Sequence, residues 1–299
     1  MWELVLITDS MRNNRTYDGN TKKFGVTMNN KNYIIKMQKK GSLSVCTEYI
    51  ASNFIRTLGI PCHKVDIGLY NNQVVDVIED FTSGTNISLV SFKDTKQSSE
   101  DTDISTKEYT YDDVIYLIKH HLKIKDMDKA IVMFWRMFIC DAIIGNRDRH
   151  WGNWGYLSNG KEYRFAPLYD NGGGLYPDVL KVISGYRVNE KKFIYDRVFV
   201  FPASLFKIKK PDRSNYAEMF KDLRINKVFA QEVRSIREHF KYIDIYKIIY
   251  KVVISLNIDN TLKRFYIQIV TLRYMCIILR MDYNKAYGIV YKLLERNGL

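Results

Sequence analysis

The sequence predicts an α+β protein with two lobes, a small β-rich lobe over residues 1–82 and a larger, mainly helical lobe over residues 83–299. Short apolar runs separated by asparagine pairs fill the first part of the chain, as is typical of hairpins. Residues 214–297 have long helical periods with few breakers. Between these parts, residues 83–108 are rich in Ser, Thr, Asp and Lys without a sustained period, which indicates a loop at the lobe boundary.

The small lobe is predicted to contain one strand, two hairpins and one helix. The hairpins turn at Asn29-Asn30 and at Asn71-Asn72. The helix begins at Ser42 or Ser44 and ends before Gly59. The predicted strands are Trp2–Thr8, Phe24–Met28, Asn32–Met37, Val65–Tyr70 and Gln73–Ile78.

The large lobe is predicted to begin with helices over Asp113–Leu122 and Asp128–Ile144, and the second of these ends at Gly145. A hairpin around Asn159-Gly160 follows. The most apolar stretch, Phe265–Met281, is interrupted by two arginines, so we expect a buried helix there and no transmembrane segment.

The formal net charge of the chain is +13, and residues 181–213 alone carry nine basic against three acidic residues. Such an excess is compatible with binding nucleic acid, an anionic membrane or acidic substrates, and also with a solvated basic face. We favour the solvated face, although charge alone does not decide between these possibilities.

The cysteines and the first residues of the chain bear on its compartment. Four cysteines lie far apart, and the N-terminus lacks the basic and small-residue pattern of a secretory signal. Widely spaced cysteines are typical of a reducing compartment and argue against a zinc site. The sequence therefore predicts a cytoplasmic protein.

The most informative motif is the stretch from Gly145 to Asn153, which places Asp148 and Asn153 five residues apart. The hairpin that follows returns the chain to the same edge, where Asp170 precedes three glycines. Two carboxylates and an amide on adjacent loops are what phosphoryl transfer from Mg-ATP requires. We therefore predict that Asp148 is the catalytic base and that Asn153 and Asp170 ligate Mg²⁺. Each residue alone would be an ordinary loop residue.

The small lobe is predicted to supply a cation for the ATP phosphates. Lys36 ends an apolar strand, and Glu48 lies on the inward face of the following helix, where a carboxylate is costly unless it is paired. We predict that Glu48 holds Lys36 in place. The backbone of Glu79 and Phe81 is then expected to contact the adenine between the lobes.

Three further residues are weaker candidates. His150 is predicted to contact phosphate or to order the loop, and Tyr169 to pack on the nucleotide. A structural role is about equally compatible with each of them. Asp141, on the apolar stripe of the helix before the loop, is expected to bond the loop backbone and to take no part in the chemistry.

These residues resemble the HipA-like serine/threonine kinases, whose core carries N-x-D-x-H-x-x-N followed by Y-D. Here the pattern runs from Asn146 to Asn153 and is completed by Tyr169-Asp170. The similarity covers most of the chain and is strongest to short members that consist of the kinase core. It implies a two-lobed kinase that phosphorylates serine or threonine on a protein, often including itself. In toxin–antitoxin members a small DNA-binding antitoxin is the partner.

The chain departs from kinase patterns in three places. Residues 9–23 contain one glycine, so the loop that covers the phosphates must use other residues. The candidates for that loop are Ser10, Asn13, Asn14 and Gly19. Asn171 stands where protein kinases have the Phe of Asp-Phe-Gly. The D-R-H-x-x-N pattern starting at Asp148 also matches phosphoinositide kinases, so the acceptor is less firmly predicted than the reaction.

Three hypotheses therefore remain open from the sequence. The leading one is a HipA-like serine/threonine protein kinase that uses ATP and Mg²⁺. The second is a lipid or small-molecule kinase whose basic residues 181–213 face an anionic headgroup. The third is a regulator with a silent site that binds nucleotide or nucleic acid. No helix-turn-helix or zinc-finger pattern is evident, so we do not expect direct nucleic-acid binding.

Overall fold

A five-stranded sheet and one helix form the part of the chain before residue 80. The computed structural model describes residues 4–17, 21–97, 110–179, 190–201, 204–206 and 215–299. The strands are β1 (Val5–Ile7), β2 (Lys23–Met28), β3 (Lys31–Met37), β4 (Val65–Tyr70) and β5 (Gln73–Glu79). Their order across the sheet is β1-β4-β5-β3-β2, with β1 parallel to β4 and the other neighbours antiparallel.

Both predicted hairpins are confirmed, and their turns explain why. Asn29 and Asn30 have φ of 49° and 59°, and Asn71 and Asn72 have φ of 48° and 59°. Two-residue hairpin turns of this kind need positive φ at both central positions, which asparagine tolerates better than most residues. The asparagine pairs therefore set the register of β2 with β3 and of β4 with β5.

Helix α1 (Ser44–Thr57) packs against β4 and β5 on one side and against a helix of the large lobe on the other. Its buried face includes Ile50, Phe54 and also Glu48, as the sequence predicts. The predicted serine N-cap is wrong, because Leu43 occupies that position without a side-chain hydrogen bond. Ser44 is the first helical residue, and its hydroxyl accepts a hydrogen bond from the Lys39 amide.

The rest of the chain holds nine helices and three strands among its described residues. The helices are α2 (Phe92–Gln97), α3 (Tyr111–His120), α4 (Met127–Ile144), α5 (Lys191–Phe199), α6 (Tyr216–Asp222), α7 (Lys227–His239), α8 (Tyr242–Ile254), α9 (Asn260–Arg273) and α10 (Tyr283–Arg296). The strands β6 (Ser88–Ser91), β7 (Gly155–Ser158) and β8 (Tyr163–Phe165) form an antiparallel sheet in that order.

The interpretation of residues 83–108 as a loop is wrong for its first half, which contains β6 and α2. The ring of Phe92 stacks on Trp154 with centroids 4.1 Å apart, and the Phe92 amide donates to the Trp154 carbonyl. These partners lie far along the chain, so a local pattern could not reveal them. Residues 98–109 lie outside the described residues.

Helix α4 is the central element of the large hydrophobic core and is buried on nearly all sides. Asp126 caps its start by accepting from the Lys129 amide, and Gly145 ends it with φ of 68°. A Cβ on Gly145 would lie 2.2 Å from the guanidinium of buried Arg273. Glycine is therefore required where α4 gives way to the predicted catalytic loop.

The apolar stretch near the end of the chain forms the C-terminal part of α9 and a π-helical turn over Tyr274–Ile278, both buried. In the parts of the chain that the structure describes, no helix combines the length and the apolar character needed to cross a membrane.

Replacing Phe138 by alanine is expected to lower the free energy of unfolding by about 3–5 kcal/mol, since the ring is fully buried in α4 and its loss leaves a cavity. Urea denaturation measures this loss. Leu122→Ala, at a position that is 91% exposed, is the control and should change stability by less than about 0.5 kcal/mol. Equal effects of the two substitutions would contradict the central position of α4.

Candidate active site

A lysine and two carboxylates from distant parts of the chain meet between the sheet and the helices. The Lys36 Nζ lies 2.5 Å from Asp170 Oδ1 and 3.9 Å from Glu48 Oε2. Lys36 is the penultimate residue of β3, Glu48 lies on α1, and Asp170 follows β8. The structure therefore brings these three predicted residues together, with Asp170 as the nearer partner of Lys36.

Glu48 is fully buried and is bonded mainly to groups other than Lys36. Its Oε1 lies 2.8 Å from His63 Nε2 and accepts from the Ser52 hydroxyl and the Asn171 amide. Its Oε2 accepts from the Gly172 amide at 2.7 Å. Glu48 thus holds the two peptide groups that follow Asp170.

Glu48 is ionised despite its burial. Burial would raise the pKa of its carboxyl, but the hydrogen bond and charge of His63, the charge of Lys36 and the Asn171 amide together lower it. The sequence offered no signal for Ser52 or His63, because a lone serine and a lone histidine are common in any core.

A third carboxylate, Asp76, faces the same lysine. Asp76 lies directly opposite Lys36 in the pairing of β3 with β5 and is 1% exposed. Its Oδ1 has no hydrogen-bond partner among the residues that the structure describes. Burial and the charge of Glu48 raise the pKa of Asp76 well above its usual range, while Lys36 lowers it. Burial alone would lower the pKa of Lys36, yet the charges of Glu48, Asp170 and Asp76 raise it, so the ammonium stays charged.

The side-chain amides of Asn146 and Asn153 form hydrogen bonds that order the predicted catalytic loop. Asn146 donates to Asp141 Oδ1 at 3.0 Å and accepts from the Asp148 amide at 2.9 Å. The Asn153 Nδ2 donates to the Asp148 carbonyl at 2.8 Å, which leaves Oδ1 as the atom of this amide available to a metal. The carboxylate of Asp141 bonds the side chains of Asn146 and Arg149, so the expectation that it would bond the loop backbone is wrong.

Arg149 is another residue at the site that the sequence did not single out. It is 1% exposed and pairs with Asp141 at 2.8 Å. Its Nη1 donates to the carbonyls of Asn153 and Tyr169, and its Nη2 also donates to Asn171 Oδ1. An arginine between two polar loop residues would ordinarily be assigned to the surface.

The loops that carry Asp148 and Asp170 are in direct contact. A Cβ on Gly173 would lie 2.6 Å from the Cβ of Asp148 and 2.9 Å from Asn146 Oδ1. Only glycine permits this approach, which explains the glycine run after Asp170. Asp170 itself has φ of 55°, in the left-handed region.

The weaker candidates lie in or beside these loops. His150 is exposed, and its Nδ1 accepts from the Gly152 amide, so Nε2 carries the proton of the neutral ring. Tyr169 donates its hydroxyl to the Gly152 carbonyl at 3.2 Å. Glu79 ends β5 with its carboxylate paired to two lysines, and Phe81 follows half-buried in a turn. Their contacts with a nucleotide stay predictions.

Three of the four residues proposed to cover the phosphates, Ser10, Asn13 and Asn14, lie among the described residues. Asn13 donates to Thr27 and Asn32 at the start of β3, roughly 13 Å along the strand from Lys36. A contact between Asn13 and the phosphates stays a prediction. Ser10 pairs with the Thr8 hydroxyl, Asn14 is exposed, and Gly19 lies outside the described residues.

The segment after Asn13 instead contacts the predicted adenine region. Arg15 and Tyr17 both donate to Asp80 Oδ2, at 2.8 and 2.9 Å. Asp80 is nearly buried and also accepts from Thr82. Burial opposes ionisation of Asp80, but the Thr82, Tyr17 and Arg15 contacts lower its pKa. Arg15 and Tyr17 were missed because the segment has no pattern of its own.

The donor set fits magnesium better than a metal held by protein alone. In the described ranges, no three His, Cys, Asp or Glu side chains converge into a metal cluster. Magnesium is usually held by one or two protein oxygens together with waters and substrate phosphates. One carboxylate from Asp170 and one amide oxygen from Asn153 match that requirement.

Sequence comparisons match this chain to kinases. A family model for the HipA-like C-terminal domain matches residues 16–172, just over half of the chain. The serine/threonine-protein kinase CtkA of Helicobacter pylori is 32% identical over 209 residues. That alignment covers 66% of this chain and 63% of the relative, so the chain matches less than two thirds of its length.

Structural comparisons also match this chain to kinases. The crystal structure of a Helicobacter pylori proinflammatory kinase CtkA matches with a TM-score of 0.81 at 26% identity, covering 97% of this chain and 100% of that one. HipA of Shewanella oneidensis MR-1, solved with HipB and operator DNA, matches with a TM-score of 0.56 at 14% identity over 96% of this chain and 70% of that one. The second likeness is one of fold alone. The predicted two-lobed, kinase-like fold is confirmed, while the lobe boundary after residue 82 stays a prediction.

Replacing Asp76 by asparagine is expected to change how stability depends on pH. The folded protein keeps the Asp76 proton to a higher pH than the unfolded chain does, so raising the pH through that window destabilises the parent. The variant lacks this loss, so its melting temperature relative to the parent should rise as the pH is raised above about 4, the usual pKa of an aspartate carboxyl. Scanning fluorimetry measures both proteins. The control is Asp66→Asn, at an exposed position on β4. A pH-independent difference for Asp76→Asn would contradict the expectation.

Proposed function

This chain belongs to the HipA-like C-terminal domain family, and we propose that it is an ATP-dependent kinase that phosphorylates serine or threonine in proteins. The observation that carries the proposal is the contact of Lys36 with Asp170 at 2.5 Å and with Glu48 at 3.9 Å. A strand lysine, a helix glutamate and a loop aspartate are the groups that protein kinases assemble around ATP.

In this proposal Lys36 binds the α- and β-phosphates of ATP. An ammonium that stays charged among three carboxylates is available to phosphate oxygens once the carboxylates are satisfied elsewhere. Glu48 is already bonded to His63, Ser52 and two backbone amides, so it orients Lys36 without enclosing it. The excess of carboxylates over cations around Lys36 also favours a divalent cation in the site.

Asp170 and Asn153 would hold magnesium in the proposed complex. When bound, the ion would neutralise charge on the β- and γ-phosphates. The carboxylate of Asp170 is 39% exposed and offers a second oxygen besides the one near Lys36. The amide of Asn153 is oriented by the Asp148 carbonyl so that its oxygen is the free end.

Asp148 is proposed to accept the proton of the acceptor hydroxyl. Its side chain belongs to an exposed residue of the loop, while its backbone is held through Asn146 to Asp141 at the end of α4. A general base with an ordered backbone and an exposed side chain is accessible to the hydroxyl group of a protein substrate. His150, exposed on the same loop, is proposed to donate Nε2–H to a phosphate oxygen.

The acceptor is proposed to be a protein because the curated relative is named a serine/threonine-protein kinase. Most of the basic residues 181–213 that suggested a lipid headgroup lie outside the described residues, so a lipid or small-molecule kinase stays the alternative prediction. The partner HipB of the Shewanella protein is likewise no basis for a partner here, since that likeness concerns fold alone. An antitoxin-type partner stays a prediction.

Incubation with radiolabelled ATP and Mg²⁺ tests the proposed function. Transfer of label to the protein itself or to a general protein substrate is expected, and mass spectrometry would identify the modified serine or threonine. If phosphoinositide vesicles are labelled and no protein is, the acceptor is a lipid and the proposed protein acceptor is wrong. Binding of ATP without any transfer would support the silent-regulator hypothesis instead.

Asp148→Asn is expected to lower kcat by roughly 10²–10⁴-fold, the usual contribution of a positioned base, with little change in nucleotide affinity. Steady-state kinetics and calorimetry measure the two quantities. Asp128→Asn, at an exposed position in the first turn of α4, is the matched control. Undiminished turnover in the Asp148 variant would exclude it as the base.

Lys36→Met is expected to weaken binding of ATP by roughly 10–100-fold, because a charge-assisted contact with phosphate contributes about 1.5–3 kcal/mol. Fluorescence titration with a labelled nucleotide gives the affinity. Lys64→Met serves as control, since Lys64 pairs with Glu79 at 3.1 Å on the exposed side of the sheet. If the Lys36 variant binds the nucleotide as tightly as the parent, Lys36 does not contact the phosphates.

A further inference from the structure

One guanidinium joins both halves of the proposed metal site. Arg149 donates to the backbone carbonyl of Asn153 at 2.8 Å and to that of Tyr169 at 2.7 Å, both from Nη1. The first carbonyl belongs to one proposed magnesium ligand, and the second belongs to the residue before the other ligand, Asp170. The same nitrogen therefore sets how far apart the two ligand-bearing segments lie.

The anchor of this guanidinium is rigid. Arg149 Nε and Nη2 donate to the carboxylate of Asp141, which is fully buried in the last turns of α4. Its remaining donor contact goes to Asn171 Oδ1 at 2.6 Å. With these acceptors the donor nitrogens of the buried guanidinium all have partners, so the burial of its charge is compensated.

Asp170 needs such support on both sides. Its φ of 55° is a left-handed conformation that costs energy for a residue other than glycine. The peptide before it is held through the Tyr169 carbonyl by Arg149, and the peptide after it is held through the Asn171 amide by Glu48. With one of these contacts gone, the carboxylate would lose its fixed position relative to Asn153.

We propose that Arg149 is the positioning residue of the magnesium site, because it fixes the separation of Asn153 and Asp170 from the end of α4. This inference rests on the proposed function and adds a residue to it. Arg149 itself touches neither substrate nor metal. Lysine cannot replace it, because one ammonium cannot pair with Asp141 and also reach two carbonyls and an amide oxygen.

The test is the metal affinity of Arg149→Lys in complex with a non-hydrolysable ATP analogue. Mn²⁺ serves as the probe because it takes the same oxygen ligands, and electron paramagnetic resonance measures the free ion directly. We expect the Kd for Mn²⁺ to rise roughly 10–100-fold, as is usual when a residue that orients a metal ligand is changed. The affinity for the analogue without metal should change little.

Arg136→Lys is the matched control. Arg136 lies on α4 and pairs with the nearly buried Glu232 at 2.7 Å, so the same substitution disturbs an arginine–carboxylate pair of the same helix that is more exposed than the Arg149–Asp141 pair. Among the described residues Arg136 makes no hydrogen bond or ion pair with either loop of the site, and we expect the parent Kd for Mn²⁺. Weaker Mn²⁺ binding in Arg149→Lys alone, measured at a temperature where circular dichroism shows both variants to be folded, would support positioning over a general loss of stability.

Hydrogen exchange of the parent protein provides a measurement that needs no variant. The amides of Asn153 and Asn171 are both hydrogen-bonded, to the His150 carbonyl and to Glu48. If one guanidinium holds both segments, the two amides should exchange with the same opening free energy. Clearly different opening free energies would overturn the proposal.

The outcomes separate the inference from the function on which it rests. If the parent binds the Mn²⁺–nucleotide complex and Arg149→Lys binds it equally well, the positioning role is wrong and the kinase proposal stands. If the parent binds no Mn²⁺ with nucleotide, the proposed function and this inference are both wrong.

Discussion

The buried ion pair of Arg149 with Asp141 is the interaction on which the candidate site depends. Removing two charges from water costs several kcal/mol per ion, and only good geometry with further hydrogen bonds compensates for that cost. Here the compensation comes from the predicted catalytic loop and from the loop of Asp170, because the carbonyls of Asn153 and Tyr169 accept from the guanidinium. The cost of burying the pair is therefore offset only when both loops are in place. Folding of α4 and assembly of the site are in this way parts of one process.

Asn171 connects this pair to the small lobe. Its side-chain oxygen accepts from Arg149, its backbone amide donates to Glu48, and its side-chain nitrogen donates to Ser52. Protein kinases have a phenylalanine at this position, and the apolar packing of its ring determines whether the loop adopts the active or the inactive conformation. In this chain a polar residue with three directed hydrogen bonds occupies the position. The small lobe and the large lobe are thus joined at the metal-binding loop by specific bonds between buried polar groups.

The parts of the structure that follow from local chemistry could be predicted from the sequence. The asparagine pairs predicted two hairpins, and the spacing of Asp148, Asn153 and Asp170 indicated adjacent loops. Glu48 was unusual because a carboxylate is costly on the inward face of a helix. Other features depend on partners far along the chain. Asp76 faces Lys36 only because β5 pairs with β3 in one register, and the strand at residues 88–91 exists only because β7 lies beside it. The burial of Arg149 could not be predicted either, since nothing in the neighbouring sequence distinguishes it from a surface arginine.

The left-handed backbone at Asp170 restricts how this site can change in evolution. Among residues with a side chain, aspartate and asparagine adopt that conformation most readily, while β-branched and bulky residues are strongly disfavoured. Substitutions tolerated by the fold are therefore nearly limited to asparagine and glycine, and asparagine is a single nucleotide change away from either aspartate codon. Such a change would remove the carboxylate proposed to bind magnesium while the left-handed turn, and with it the surrounding architecture, is retained.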